Sequence, residues 1–138
     1  ESRMHAAIYA RRPDVRAVIH AHPPAATAFA VAHMPLRAPI LAESVLVLGD
    51  VPLIPYATPG TEELASAVAG GLLEGRAALL ANHGAVTVGQ TLAQAHYRME
   101  TLEHVARVAL MARLLGGAVE LSPEDVERLR GLTGGPYR

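Results

Sequence analysis

The chain contains 138 residues, of which 51% are hydrophobic and 18% charged, and its formal net charge is -1. This length fits one domain with a sizeable core, and the near-neutral charge excludes the basic field that nucleic acids and anionic membranes attract. Apolar runs end well short of the roughly 20 residues of a membrane-spanning helix, and no signal-peptide pattern opens the chain. We therefore expect a cytoplasmic protein.

Segments with periodic apolar residues are separated by Pro and Gly, which predicts helices mixed with strands. The first third predicts a helix, a strand and a helix, at 1–12, 15–22 and 25–32. The middle third predicts two strands and a helix capped by Thr61, at 44–48, 51–54 and 61–73. The last third predicts two strands around a tight turn, a long helix and a helix capped by Ser122, at 77–81, 85–88, 91–115 and 122–131. This order indicates an α/β fold with helices covering a sheet.

The first residue is Glu rather than Met, and the chain begins directly in the first predicted helix. We therefore expect residues 1–138 to form a single domain whose N-terminal part is missing.

The residue inventory removes several mechanisms. The chain has no Cys, which excludes disulfides, thiolate nucleophiles and thiolate-bound zinc. All twelve basic residues are Arg, so no lysine can form an imine with a carbonyl substrate. Seven His and thirteen acidic residues remain, which suits a metal site with nitrogen and oxygen ligands or plain acid–base chemistry.

The sequence His20-Ala21-His22 is the clearest local signal of a site. Residues i and i+2 of a strand project from the same face, so both imidazoles can reach one ion at about 2.0–2.1 Å. The pair could instead be two polar residues on a solvent-facing strand. Its position at the C-terminal end of the strand, directly before two prolines, favours a site because functional residues collect where strands open into loops.

His83 lies in the predicted turn between two strands, where it could equally be a surface residue. Gly84 permits a backbone bend that would aim His83 at a neighbouring strand end. With His20 and His22 it would complete a three-histidine site that leaves coordination positions open, as in catalytic zinc centres.

Other polar residues have two interpretations each. Glu1 and Glu43 are candidate acid–base carboxylates, although either could be an ordinary solvated side chain. Simple pairing along a helix face explains His5, and intrahelical pairing explains the i, i+4 series His96, Glu100 and His104 better than a metal face does.

Five motifs, taken in chain order, resemble the class II aldolase/adducin family. They are Glu1-Ser-Arg-Met-His5, Arg12-Pro-Asp14, Val18-Ile-His20-Ala-His22-Pro23, Pro55-Tyr-Ala-Thr-Pro-Gly-Thr61-Glu-Glu-Leu64 and Leu79-Leu80-Ala-Asn82-His83-Gly84. The resemblance covers essentially the whole chain. It implies a three-layer α/β/α domain with a largely antiparallel central sheet.

The resemblance also assigns roles to individual residues. His20, His22 and His83 match the family's zinc ligands, and Glu1 matches its catalytic acid–base. Tyr137 matches a tail tyrosine that reaches the active site of a neighbouring subunit. Family members usually form homotetramers with active sites at subunit interfaces. The family's phosphate-binding loops lie mostly upstream of the matched glutamate, and its tyrosine near residues 41–43 is absent here, which makes Glu43 a candidate to line the site.

The implied reaction is cleavage of a ketose 1-phosphate, a small phosphorylated sugar, to dihydroxyacetone phosphate and an aldehyde. The zinc ion, or another divalent metal, would stabilise an enediolate, which is the task of lysine in imine-forming enzymes. Sugar-phosphate 4-epimerases and methylthioribulose-1-phosphate dehydratases share the same motifs, and a non-catalytic adducin-like domain is the alternative of another class.

Overall fold

The computed structural model of the chain describes residues 1–132, and Tyr137 lies outside them. In chain order the elements are α1 (Ser2–Arg11), β1 (Ala17–Ala21), α2 (Pro24–Val31), a π-helix (Ser44–Leu48), β2 (Leu53–Ile54), α3 (Glu62–Gly71), β3 (Ala77–Leu80), β4 (Gly84–Gly89), α4 (Leu92–Leu114) and α5 (Pro123–Gly131). No helix in this part of the chain is long and apolar enough to cross a membrane.

The strands form one sheet in the order β1-β4-β3-β2. β4 is antiparallel to both β1 and β3, and only the short pair of β2 and β3 is parallel. This arrangement confirms the largely antiparallel sheet that the family resemblance implies.

Helices cover both faces of the sheet because the strands are apolar on both faces. Val18, Val86 and Val88 pack with buried side chains of α1 and α3, among them Ile8 and Val68. On the opposite face, Ala77, Leu79 and Ala85 pack with α2, α4 and the π-helix, around Phe29 and Leu102. Two separate apolar clusters therefore flank the sheet, which confirms the three-layer α/β/α fold.

Side-chain oxygens cap three of the helices, and the sequence predicts two of these caps, Thr61 and Ser122. Thr61 accepts a hydrogen bond from the backbone nitrogen of Leu64 at the start of α3. Ser122 accepts one from the backbone nitrogen of Asp125 at the start of α5, and Thr91 does the same for α4. These bonds satisfy backbone donors that have no partner inside the helix.

The predicted strand at 44–48 is wrong, because this segment forms the π-helix. Its backbone closes through a bond of 2.8 Å from the Gly49 nitrogen to the Ser44 carbonyl, with Gly49 at a φ of 69°. Arg76 donates to the carbonyls of Leu46 and Val47 at the end of this segment. Most of the segment is buried. A short run that is apolar on every side shows no helical periodicity, so the sequence does not distinguish it from a strand.

The second strand of that region is shorter than predicted. Only Leu53–Ile54 pairs with β3, while Val51 forms an isolated antiparallel bridge with Leu36.

Candidate metal centre

His20 and His22 lie on the same side of the first strand, as their spacing predicts. His20 is within β1 and His22 follows its last residue, directly before Pro23, the N-cap residue of α2. Their Nε2 atoms are 3.1 Å apart. Two nitrogens that each lie 2.0–2.1 Å from one tetrahedral ion would be about 3.4 Å apart, so the two rings already have nearly the spacing that a shared ion requires.

Strand pairing brings His83 to the same point. Ala21 pairs with Ala85 and Leu80 pairs with Gly84, so the end of β1 lies beside the loop that joins β3 to β4. The ring centroid of His83 is 4.7 Å from that of His20 and 5.1 Å from that of His22. One nitrogen from each of the three histidines fits within 4.8 Å of the others.

Gly84 has a role other than the backbone bend expected from the sequence. Its φ is not positive; the residue of the turn with a left-handed backbone is Asn82, at a φ of 53°. A Cβ atom on Gly84 would lie 2.4 Å from Cδ2 of His22 and 2.6 Å from the carbonyl oxygen of Ala21. Gly84 is therefore required because the ring of His22 lies directly over its backbone.

Two residues support the turn, and sequence reasoning missed their relation. The side-chain oxygen of Asn82 lies 2.6 Å from Nε2 of His33, which itself has a φ of 55°. Left-handed backbone outside glycine is uncommon and costs about 1–2 kcal/mol. This contact joins the C-terminal end of α2 to the residue that precedes His83.

The backbone sets the tautomer of His20. Its Nδ1 lies 2.9 Å from the carbonyl oxygen of Ala85 and must donate to it, because a carbonyl only accepts. The Nε2 atom therefore carries the lone pair and faces the other rings. A backbone carbonyl behind the ring is the usual partner of a metal-binding histidine.

Burial favours the neutral imidazole of His20 and of His83. Burial lowers the pKa of His20, while the Ala85 carbonyl and the charge of Glu1 oppose that shift. Burial and then the proximity of His20 lower the pKa of His83. Neutral histidine is the form that binds metal ions.

Nδ1 of His83 is buried and has no hydrogen-bond partner within residues 1–132. A buried polar nitrogen without a partner is unfavourable. A bound ion or its ligand shell would change this balance, so the atom is consistent with a site built for an additional group.

Glu1 is the carboxylate that reaches the cluster. Its Oε2 lies 3.4 Å from Nε2 of His20 and its Oε1 lies 3.6 Å from Nε2 of His83. Glu43, in contrast, is exposed at the start of the π-helix and makes no hydrogen bond or ion pair with the histidines in the described structure.

The histidines on α4 remain apart from this centre. His96 contacts Glu100 at 3.5 Å in an exposed i, i+4 pair, and His104 is exposed. In the region that the structure describes, the cluster of His20, His22 and His83 is the single group of three or more side chains that could hold a metal ion.

Glu103 is a further residue that sequence reasoning missed. From α4 its carboxylate accepts hydrogen bonds of 3.1 and 3.0 Å from the backbone nitrogens of Ala25 and Ala26. These are free donors of the first turn of α2, which begins immediately after His22 and Pro23. Because the partners are about 78 positions apart in the chain, no local pattern could have indicated the contact.

The chain belongs to the class II aldolase and adducin family, since the model of that family's N-terminal domain matches residues 1–110. Over 134 residues it is 32% identical to an L-fuculose phosphate aldolase of Haemophilus influenzae, covering 97% of this chain and 61% of the relative. It is also 35% identical, over 108 residues, to a 3-oxo-tetronate 4-phosphate decarboxylase of Escherichia coli K12, covering 75% and 51% of the two chains.

Solved structures agree with this assignment. The fold superposes on an L-fuculose 1-phosphate aldolase with a TM-score of 0.89 and 36% identity, covering 96% of this chain and 62% of that chain. The chain thus spans about half to two thirds of the length of the relatives it matches. Both kinds of relative are named for reactions that cleave a carbon–carbon bond.

Proposed function

We propose that His20, His22 and His83 hold one divalent metal ion, with zinc as the expected ion. The observation that carries this proposal is the convergence of three imidazoles, one of them fixed in its tautomer by the carbonyl of Ala85. Three nitrogen ligands leave a coordination position open, which is the pattern of catalytic rather than structural zinc. The residues present therefore fit a catalytic ion.

We further propose that the protein carrying this chain is a lyase of the aldolase type. Its substrate would be a ketose 1-phosphate similar to L-fuculose 1-phosphate, cleaved to dihydroxyacetone phosphate and an aldehyde. The names of the relatives and the lack of lysine support this reaction, since an imine route is closed to these residues.

The bound ion would supply a Lewis acid that polarises the substrate carbonyl and stabilises the negative charge released by cleavage. Glu1 is the proton carrier in this proposal. Its carboxylate lies within 3.6 Å of two of the imidazoles, so it would stand beside the reacting carbon. There it would deliver a proton to the carbon freed by cleavage and take it back in the reverse direction.

The proposal includes a homotetramer with active sites at subunit interfaces, which rests on the family resemblance. In such an assembly Tyr137 of one subunit would complete the site of its neighbour.

A second candidate reaction is decarboxylation of a phosphorylated 3-oxo acid. The relative from Escherichia coli K12 that bears this name favours it. The chemistry is related, because loss of carbon dioxide beside a carbonyl also leaves negative charge that a metal ion can stabilise.

A product assay with the zinc-loaded protein would distinguish the candidates. A panel of ketose 1-phosphates and 3-oxo-tetronate 4-phosphate would be tested for dihydroxyacetone phosphate and for carbon dioxide. We expect dihydroxyacetone phosphate from a ketose 1-phosphate, and its loss in Glu1→Gln with zinc retained. Release of carbon dioxide alone would favour the second candidate, and no product from any substrate would contradict both.

A further inference from the structure

A charged cavity lies at the end of the sheet opposite the histidine cluster. It has a volume of about 400 Å³, and Arg12, Arg76 and Arg98 line it together with the Gly89 end of β4. The histidines lie at the Gly84 end of the same strand, so five residue steps of about 3.4 Å each separate the two ends, or about 17 Å. The cavity is therefore distinct from the candidate metal centre.

Among the described residues, two of the three guanidinium groups have no acidic partner. Arg12 is paired with both carboxylate oxygens of Asp14, at 2.8 and 2.7 Å. Within residues 1–132 no carboxylate lies within ion-pair distance of Arg76 or Arg98, although Glu74 also lines the cavity. Partly buried charges are normally compensated by a partner of opposite sign, so these two are unusual.

The positive charges are close enough to repel one another. Arg98 is half-buried, and its pKa is lowered to about 10 by burial and by the nearby charges of Arg76 and Arg12. An anion between these groups would relieve both the desolvation and the repulsion.

Backbone carbonyls hold the guanidinium groups in place. Nη1 of Arg76 donates to the carbonyls of Leu46 and Val47, and Nη1 of Arg98 donates to the carbonyl of Val88. Each of these hydrogen bonds uses Nη1 alone, so within residues 1–132 Nε and Nη2 of both guanidinium groups remain for a ligand. A fixed planar fork with free donors is the geometry that recognises phosphate oxygens.

We propose that this cavity binds a small phosphate-type oxyanion, free phosphate or a phosphate monoester, between Arg76 and Arg98. The inference does not depend on the proposed reaction, since the site shares no residue with the histidine cluster. It gives the protein an anion site away from its candidate catalytic centre.

Titration of inorganic phosphate into metal-free protein tests this site. Without a metal ion, phosphate cannot bind at the histidine cluster as a metal ligand. Calorimetry at constant ionic strength should show saturable binding at one site per chain. We expect Arg98→Gln and Arg76→Gln each to weaken it by roughly tenfold or more, the effect of losing a charge-assisted hydrogen bond. Arg128→Gln, on an exposed helix where Arg128 pairs with Glu124, is the matched control and should bind like the wild type.

Circular dichroism would show whether each variant is folded. If Arg98→Gln does not fold, the test rests on Arg76→Gln and Arg98→Lys. Arg98→Lys keeps the positive charge but loses the planar guanidinium, so it should also bind phosphate more weakly than the wild type. Repeating the titration with glycerol 1-phosphate would distinguish a monoester from free phosphate as the preferred ligand. The proposal is overturned if wild-type protein shows no saturable binding up to about 10 mM phosphate, or if the folded cavity variants bind as tightly as the control.

Discussion

At the scale of single residues, His83 depends on its two neighbours in different ways. Asn82 takes up the left-handed backbone of the turn, and Gly84 leaves room for the ring of His22. The sequence predicts a tight turn at residues 82–84, because Asn-x-Gly is typical of tight connections. It could not predict that the glycine is needed for space, since His22 is about 60 positions away in the chain.

Gly84→Ala should therefore damage the histidine cluster. The new methyl group would meet the ring of His22 and the carbonyl of Ala21, so His22 must move. We expect metal affinity to fall by roughly 10- to 100-fold, as for loss of a supporting contact. Gly131→Ala, where the methyl group would meet nothing within 4 Å, is the control, and competition with a zinc chelator is the measurement. Equal affinities for the two variants would contradict the steric role of Gly84.

Replacing Asn82 separates backbone strain from the hydrogen bond to His33. Asn82→Gly removes the side-chain contact with His33 but still adopts the left-handed backbone without strain. Asn82→Ala removes the same contact and also makes the left-handed backbone unfavourable. We expect Asn82→Ala to lower the free energy of unfolding of metal-free protein by about 1–2 kcal/mol more than Asn82→Gly does. Urea denaturation measures both, and equal losses would show that the backbone conformation carries no strain.

At the scale of elements, Glu103 connects α4 to the entry of α2. Its two hydrogen bonds hold the first turn of α2, and that turn begins directly after His22 and Pro23. The carboxylate also complements the positive end of the helix dipole. We therefore infer that Glu103 positions His22 through the backbone without touching the cluster.

Glu103→Ala should lower both stability and metal affinity. Loss of a helix cap costs about 0.5–2 kcal/mol, and the freed entry of α2 should weaken metal binding by roughly tenfold. Glu100→Gln is the matched control, because Glu100 lies one turn earlier on α4 and is exposed. Thermal denaturation and chelator competition measure the two effects. A stability loss without a change in affinity would limit Glu103 to a structural role.

The sequence predicts a helix or strand well where a polar capping residue or a clear apolar periodicity marks it. The predicted capping residues Thr61 and Ser122 each begin a helix in the structure, because their bonds are made within one turn. The sequence does not predict the π-helix, because its short apolar run shows no helical periodicity and two of its carbonyls bond to Arg76, about 30 positions away. Long-range hydrogen bonds of this kind leave no trace in a local pattern.

At the scale of the whole molecule, the register of β1 on β4 builds the candidate site. Pairing of Ala21 with Ala85 places His22 beside the loop that carries His83. Periodicity can place each histidine on a strand or in a turn, but it does not specify which strands are neighbours. The family resemblance implies the three layers and assigns the three histidines to one zinc site, whereas the strand order is known from the structure.

Metal removal should destabilise the entire fold, because an ion held by β1 and by the loop between β3 and β4 binds only the folded chain. At a free zinc concentration 100 times the dissociation constant, the expected stabilisation is about 2.7 kcal/mol. Calorimetric scans with and without a chelator measure it as a lower melting temperature after stripping. An unchanged melting temperature would show that no ion connects these elements.

Metal stoichiometry in histidine variants tests the central claim most directly. Protein equilibrated with zinc and freed of excess ion would be analysed by elemental mass spectrometry, for the wild type, His20→Ala, His83→Ala and the exposed control His104→Ala. We predict one zinc ion per chain in the wild type and in His104→Ala, and almost none in His20→Ala or His83→Ala. Full stoichiometry in either of those two variants would contradict a centre formed by His20, His22 and His83.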